Sequence, residues 1–460
     1  MPTGPGERGA AGRLSGIDRE VLRLAVPALG ALLAPPLFLL ADAAIVGRLG
    51  PAPLAGLGIA GAVLTTVVSL SIFLAYGTTG SVARLLGADD LRGALGHGVS
   101  AAWLGGAIGV VAAAAGAAVT GPVVDAFGAP PEAAAQAVEY LRVGWWGLPA
   151  LLVSLAATGV LRGLQDTRTP LVVAATGAAA NVVLNVVLVL GAGLGIAGSA
   201  IGTVAAEMGM AVALVAVVGR AARRHRVGLA PRRAHVSASW TAGWPLLVRT
   251  AAMRVALLAA TAAAARLGTD GLAAFNVSFA VWGFLALALD ALAIAAQALV
   301  GRYLGAGDPG PVRSLSARLV RWGVLGGLGL GVATALLAAP VAPLFSPDGD
   351  VQRLVVVALL TIAALQPLAG WVFVLDGVLI GAGDGRYLAA AACVATVAFL
   401  PLAWVAVAVG ARLGAHAGIT ALWVAMGGWM LVRLATLAPR ARSGRWLVVG
   451  GATRGRPAPR

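Results

Sequence analysis

A few ionisable residues interrupt long apolar stretches of this sequence, and two of them have the chemistry of a proton carrier. Asp42 lies near the end of the first apolar stretch and Glu207 lies in the middle of another. Charged side chains in such surroundings are costly and usually functional. A carboxyl group that is removed from bulk water holds its proton more readily than one in solution. We therefore interpret both acids as candidates for proton coupling, with a purely structural hydrogen bond as the alternative for each.

Polar residues at helical spacing accompany these two acids. Asn181 and Asn185 are four residues apart, and so are Thr203 and Glu207. Residues four apart share one face of a helix. The spacing predicts that these side chains converge with Asp42 inside the N-terminal half of the protein.

A second set of polar residues lies in apolar stretches of the C-terminal half. Its members are Arg249, Arg254, Asp290, Gln297 and Asp376. We expect a buried ion pair between Asp290 and either Arg249 or Arg254. The alternative is that this set lines a substrate cavity and binds a charged substrate.

The elements that position these residues are predicted to be membrane-spanning helices. Hydrophobic residues form 60% of the 460 residues and charged residues 11%, which is too little charge to cover a soluble protein of this length. The apolar runs are about 20 residues long, the length of helix that crosses a bilayer. They lie near 21–41, 54–79, 95–121, 137–160, 170–191, 196–219, 244–266, 272–299, 318–340, 354–380, 387–409 and 416–437.

The distribution of arginine predicts the orientation of these spans. The side of the membrane with the termini and the loops after even-numbered spans holds about 26 of the 33 basic residues, whereas the opposite side holds five. Because cytoplasmic loops are enriched in basic residues, both termini are expected in the cytoplasm. The arginines in the loops are expected to contact anionic lipid headgroups. The composition is typical of a GC-rich bacterial genome, so we expect a multi-pass protein of the bacterial inner membrane.

The sequence contains an internal repeat. Residues 82–90 match residues 300–308 at six of nine positions, and residues 159–168 match residues 377–386 at six of ten. In both matches the paired residues are 218 positions apart (300 − 82), and the same distance separates Pro27 from Pro245. We call this distance the repeat offset. A shared offset without gaps indicates duplication of a six-span unit. Because six is even, the two halves are expected to have the same orientation in the membrane.

The repeat predicts an all-α membrane protein with two six-helix lobes. The expected divisions are an N-terminal cytoplasmic tail (1–20), a first lobe (21–219), a cytoplasmic linker (220–243), a second lobe (244–437) and a disordered basic tail (438–460).

Other classes of protein fit the sequence poorly. Cys393 is the only cysteine, and the four histidines have no metal-ligand spacing, so no metal site is expected. The spans contain no catalytic motif of a membrane protease or acyltransferase, so we expect no enzymatic activity. Because the arginines flank spans instead of forming a soluble basic domain, no nucleic-acid partner is expected.

Three motifs resemble those of the multidrug and toxic compound extrusion (MATE) family. Residues 39–50, LLADAAIVGRLG, are similar to the first-helix signature of that family, and residues 161–170, LRGLQDTRTP, to its motif after the fourth helix. Residues 290–301, DALAIAAQALVG, resemble the branch named for DNA-damage-inducible protein F. The resemblance covers residues 20–437.

The resemblance implies a V-shaped pair of six-helix lobes and a function in export. It implies cation-coupled antiport of small organic compounds, often cationic or amphipathic, by alternating access and without a cofactor other than the coupling ion. We expect a monomer and favour H⁺ over Na⁺. The family's coupling aspartate matches Asp42, and the polar residues around it match Tyr140, Asn181, Asn185 and Thr203.

The sequence departs from the family at one position of this cluster. The family often has aspartate where Asn185 stands, and we expect Glu207 to supply the second titratable group in its place. An alternative function within the same superfamily is a flippase for lipid-linked saccharides, which would use Arg249 and Arg254 to bind pyrophosphate.

Overall fold

The computed structural model of the protein describes residues 6–450, with side chains from residue 16 onward. Over these residues it contains twelve helical segments that are long and apolar enough to cross a membrane, as the sequence predicts. Helices satisfy their own backbone hydrogen bonds, which a segment inside hydrocarbon requires.

Fourteen α-helices form the twelve spans. Their bounds are α1 Gly6–Val46, α2 Pro51–Ser71, α3 Phe73–Gly87, α4 Leu91–Asp125, α5 Pro131–Gly144, α6 Leu148–Gly163, α7 Arg168–Asn185, α8 Gly195–Arg224, α9 Arg233–Ala265, α10 Gly268–Gly305, α11 Pro309–Val341, α12 Gly349–Gly381, α13 Gly385–Leu413 and α14 Ala415–Arg442. The second span consists of α2 and α3, and the fourth of α5 and α6. A π-helical turn, Val186–Gly191, continues the fifth span after α7.

The chain divides into two compact units. The N-terminal unit contains residues 26–244 together with Gly450, and the C-terminal unit contains residues 245–449 together with the part of α1 up to Ala25. Both α1 and α9 therefore contribute to both units. The segment expected as a linker, 220–243, is mostly helical and belongs to the N-terminal unit, because α8 extends to Arg224 and α9 begins at Arg233.

The first helix begins well before the predicted span. Asp18 lies in the segment expected as an N-terminal tail, but its carboxylate accepts hydrogen bonds from the guanidinium of Arg318 and, at 2.8 Å, from Trp322 Nε1. Glu20 forms an ion pair with Arg302 at 3.1 Å. These contacts fix the beginning of α1 on the C-terminal unit; residues 1–5 lie outside the described part of the chain.

The segment after the last span is also structured, and the expectation that 438–460 is disordered is wrong as far as Gly450. The helix α14 continues to Arg442, and Arg440 forms an ion pair with Asp384. Trp446 is buried, and its indole N–H donates to the carbonyl of Ala441 at 2.7 Å. The carbonyl of Gly450 accepts a hydrogen bond of 3.1 Å from buried Arg84. Residues 451–460 are not described.

Close helix contacts repeat in the two halves. A Cβ atom added at Gly109 of α4 would lie 2.5 Å from Pro149 Cα on α6. Gly327 of α11 is the equivalent position in the second half, and a Cβ there would collide with the carbonyl group of Gln366 on α12. In hydrocarbon, small residues allow helix backbones to approach closely, and dispersion contacts hold them together. The α4–α6 and α11–α12 pairs are therefore equivalent contacts within their own units.

We expect Gly327→Ala to destabilise the protein because the added methyl group has no space against α12. Overpacking of this kind costs about 1–3 kcal/mol. The matched control is Gly326→Ala, since a Cβ at Gly326 has nothing within 4 Å. Thermal unfolding of the detergent-purified protein should show a lower midpoint for Gly327→Ala and an unchanged or higher one for the control, because alanine is the better helix former. Equal midpoints for both variants would contradict the close α11–α12 contact.

Candidate functional site

Asp42 is buried near the C-terminal end of α1 and is surrounded by neutral hydrogen-bond donors. Its side chain is 1% exposed. One carboxylate oxygen accepts a hydrogen bond from Asn185 Nδ2, and the other lies 3.3 Å from the donating hydroxyl of Thr203. A carboxylate in hydrocarbon requires such partners, because no water is present to solvate it.

The donors are themselves joined in a chain. Asn181 Nδ2 donates to Thr203 Oγ1 at 3.0 Å, and Asn185 Nδ2 also lies 3.4 Å from Asn181 Oδ1. The sequence prediction that Asn181, Asn185 and Thr203 converge on Asp42 is therefore confirmed. The hydrogen bonds run in one direction, from the Asn181 amide through the Thr203 hydroxyl to the Asp42 carboxylate.

Tyr140 and Glu207 lie at the edge of this cluster. Tyr140 is buried and lies beside Thr203. The carboxylate of Glu207 packs against Gly147, where an added Cβ would collide with Glu207 Oε2, and it lies within electrostatic range of Asp42. Glu207 and Thr203 both line a cavity of about 40 Å³, which is large enough for a water molecule. All six residues predicted for proton coupling thus lie in one region of the N-terminal unit.

The local backbone explains how Asn185 reaches Asp42. Asn185 is the last residue of α7, directly before the π-helical turn Val186–Gly191. Its Oδ1 atom points at Gly202 of α8, where a Cβ would collide with it. Glycine at 202 therefore lets α8 approach the amide, and π-turns of this kind often mark functional sites.

The charged residues of the C-terminal half form a different kind of cluster. Asp376 of α12 is buried and forms ion pairs with Arg249 of α9, at 2.8 Å, and with Arg433 of α14. Arg249 thus binds an acid with which the sequence analysis did not pair it. Arg254 and Asp290 are half-buried on α9 and α10.

Gln297 and Arg433 are two further buried polar residues of the C-terminal half. Gln297 of α10 is buried and packs against Gly381, where an added Cβ would collide with the backbone of Gln297. Sequence reasoning missed Arg433, although this arginine lies inside the predicted span 416–437 and could have been found there.

The polar cluster around Asp42 is confined to one half of the repeat. At the repeat offset, every member corresponds to an apolar residue. Asp42, Tyr140, Asn181, Asn185, Thr203 and Glu207 correspond to Ala260, Ala358, Phe399, Ala403, Ala421 and Ala425. The shared helix architecture therefore does not require these polar side chains, which points to a function specific to the N-terminal half.

The chain matches the family model MatE twice, over residues 27–187 and 245–405. The two matched regions have the same length and begin at Pro27 and Pro245, the pair that defines the repeat offset. The internal repeat inferred from the sequence is therefore a repeat of this family's unit.

Individual relatives agree with this match. The chain is 29% identical to "Protein DETOXIFICATION 44, chloroplastic" of Arabidopsis thaliana, over 95% of this chain and 85% of that protein. It is 26% identical to "DNA damage-inducible protein F" of Escherichia coli, over 94% of this chain and 95% of that protein. The branch resemblance noted in the sequence thus has a counterpart among known proteins.

A solved structure has the same fold. The Vibrio cholerae MATE transporter VcmN in its bent form superposes with a TM-score of 0.85 at 20% identity, over 94% of this chain and 99% of that one. The twelve spans, the doubled family unit and this fold identify the chain as a multi-pass membrane protein that belongs to the MatE family of multidrug and detoxification transporters.

Proposed function

We propose that this transporter exports organic compounds, cationic or amphipathic in character, in exchange for protons, and that Asp42 carries the proton. The transport step is alternating access, in which the substrate site opens to one side of the membrane at a time. The observation that carries the proposal is a single buried carboxylate held by neutral donors, at a position where the other half of the repeat has alanine. We place the protein in a bacterial inner membrane with both termini in the cytoplasm, which the distribution of arginine supports.

The hydrogen-bond chain explains how protonation of Asp42 changes its surroundings. An ionised carboxylate only accepts hydrogen bonds, and both Asn185 and Thr203 donate to it. A protonated Asp42 must donate its own O–H, and an amide N–H cannot accept it. The Thr203 hydroxyl can accept it if it turns and donates elsewhere, for example to Tyr140. Protonation of Asp42 therefore changes the hydrogen bonds of the cluster at Thr203.

The donor pattern supports H⁺ rather than Na⁺ as the coupling ion. Hard cations such as Ca²⁺ and Mg²⁺ are bound by several oxygen ligands, and we expect the same of Na⁺. In this cluster Asn185 presents an N–H group to Asp42, and Thr203 donates its O–H to the other carboxylate oxygen. Because these neighbours donate hydrogen bonds instead of presenting oxygen ligands, they favour a site at which Asp42 gains and loses a proton over a site that binds Na⁺.

We expect Asp42→Asn to abolish proton-coupled export, because asparagine is nearly isosteric but cannot release a proton. The measurement is ethidium efflux from loaded cells of a drug-sensitive bacterial strain, with and without a protonophore and at two Na⁺ concentrations. The matched control is Asp270→Asn, which changes an exposed aspartate in the first turn of α10.

Efflux by the wild type and the control should collapse with the protonophore and should not respond to Na⁺. Efflux that depends on Na⁺, or that survives in Asp42→Asn, would contradict the proposed coupling. Equal membrane insertion of the three proteins, checked by immunoblot, makes the comparison valid.

Glu207 is proposed as the second titratable group, in place of the aspartate that the family often has at 185. It lines the same small cavity as Thr203, so one water molecule there would connect its carboxylate with the chain to Asp42. This arrangement gives a proton a route toward Asp42 along α8.

We expect Glu207→Gln to lower the rate of efflux by about a hundredfold, the lower end of what removing one proton-transfer group costs. The matched control is Glu139→Gln, an exposed glutamate of α5 that should export at the wild-type rate. Full export by Glu207→Gln, together with no export by Asp42→Asn, would refute the role of Glu207 and leave that of Asp42 intact.

The cluster of Asp376, Arg249 and Arg433 is proposed as a structural ion pair network. Its carboxylate is bound by two guanidinium groups, so it has little freedom to exchange a proton. Engagement of Arg249 with Asp376 also weakens the flippase alternative, because this arginine is neutralised and not held ready for pyrophosphate.

We expect Asp376→Asn to destabilise the protein, because two buried guanidinium groups lose their anion. Removing one partner of a buried ion pair costs about 3–5 kcal/mol. The matched control is Asp350→Asn, whose ion pair with Arg353 is exposed and should contribute little. The midpoint of thermal unfolding in detergent should fall for Asp376→Asn alone. An unchanged midpoint with lost export would instead assign Asp376 to transport.

A further inference from the structure

The N-terminal unit contains a large groove that shares no residue with the cluster around Asp42. Its volume is about 1040 Å³, and α4, α6 and α8 form its walls. Ligand pockets in proteins are typically about 300–1,000 Å³, so the groove is large enough for a lipid-sized molecule. The transport proposal does not use this groove.

The walls of the groove are apolar and elongated. Gly98, Ala102 and Gly106 line it at four-residue intervals along one face of α4. From Gly98 to Val111 the lining extends over about 20 Å, at 1.5 Å per helical residue. This length exceeds half of the hydrocarbon thickness of about 30 Å. A groove of this form suits an extended acyl chain better than a compact substrate.

One end of the groove is positively charged. Arg220 and Arg223 line it from the last turns of α8, and both are exposed. At the same end Trp103 Nε1 donates to the carbonyl of Leu229 at 2.9 Å, which ties the indole to the segment between α8 and α9. None of the described residues that line the groove is acidic. The charged end therefore fits an anion whose apolar part lies along α4.

These two arginines are not a feature of the shared architecture. The equivalent positions in the second half, at the repeat offset, hold Ala438 and Ala441. The helix α14 ends at the position equivalent to the end of α8 and has its own last-turn arginines, Arg440 and Arg442, but neither is at a position equivalent to Arg220 or Arg223. Arginine at these two positions is thus specific to the N-terminal half.

We infer that this groove binds an anionic phospholipid of the leaflet that contacts the α8–α9 segment. One acyl chain lies along α4 between the exposed rims at Trp103 and Val215, and the phosphate is bound by Arg220 and Arg223. Arginine binds phosphate oxygens with two parallel N–H donors, and basic pockets between membrane helices select anionic headgroups. A zwitterionic lipid has the same chains but lacks the net charge.

Native mass spectrometry of the full-length protein in detergent tests this inference. Dioleoyl phosphatidylglycerol is titrated against dioleoyl phosphatidylcholine, so that only the headgroup differs. The wild type should bind one phosphatidylglycerol with roughly thirtyfold higher affinity than phosphatidylcholine, because two arginines attract the anionic headgroup at low salt. The preference should fall as salt is added.

Matched variants separate the groove from general surface charge. Arg220→Gln/Arg223→Gln should lose the preference, whereas Arg224→Gln/Arg226→Gln should keep it, because those arginines are close by but do not line the groove. Gly106→Leu should weaken binding of both lipids by filling the groove; a Cβ there meets only Val153, at 3.4 Å.

Three results would overturn the inference. They are equal binding of the two lipids by the wild type, an equal loss in both arginine double variants, and competition by inorganic phosphate as effective as that by the lipid. The last result would show a site for the phosphate group alone.

Discussion

Inside a bilayer, a polar side chain must find its partner within the protein, and this constraint organises the structure. Asp42 and Asp376 are both buried acids, yet they meet the constraint in different ways. Neutral amide and hydroxyl groups surround Asp42, whereas two guanidinium groups hold Asp376. Neutral donors place no net charge beside the carboxyl group of Asp42, whereas two positive charges lie beside that of Asp376. The same constraint is thus met by neutral hydrogen bonds in one half and by ion pairs in the other.

Much of the fold and of the Asp42 cluster follows from local sequence patterns. The length of the apolar runs predicts twelve spans, and the constant repeat offset predicts two repeated units; both are confirmed. Four-residue spacing places Asn181 with Asn185 and Thr203 with Glu207, which is sufficient to predict two helix faces. That these faces meet Asp42 is expected from the rarity of polar residues in the spans and from the family resemblance, since helix periodicity alone does not determine which helices pack together.

Local sequence patterns do not predict which distant residues are in contact, or that the segment after the last span is structured. The ion pair between Asp376 and Arg433 joins α12 to α14, and nothing in either segment's periodicity indicates it. Trp446 lies in a segment rich in arginine and glycine, which predicts a disordered tail, yet its side chain is buried. The groove along α4 is likewise invisible in sequence, because glycine and alanine on a helix face are compatible with close packing as well as with an open surface. Tertiary contacts decide these cases.

The hydrogen bond between Arg84 and Gly450 spans 366 residues, and both ends belong to the N-terminal unit. Ribosomes deliver the chain from the N-terminus, so α3 enters the membrane long before its partner has been synthesised. The N-terminal unit acquires this contact only after all twelve spans have left the ribosome. Assembly of the N-terminal unit is therefore linked to a segment made after the twelfth span, and a nascent chain arrested before Gly450 would carry an N-terminal unit without this contact.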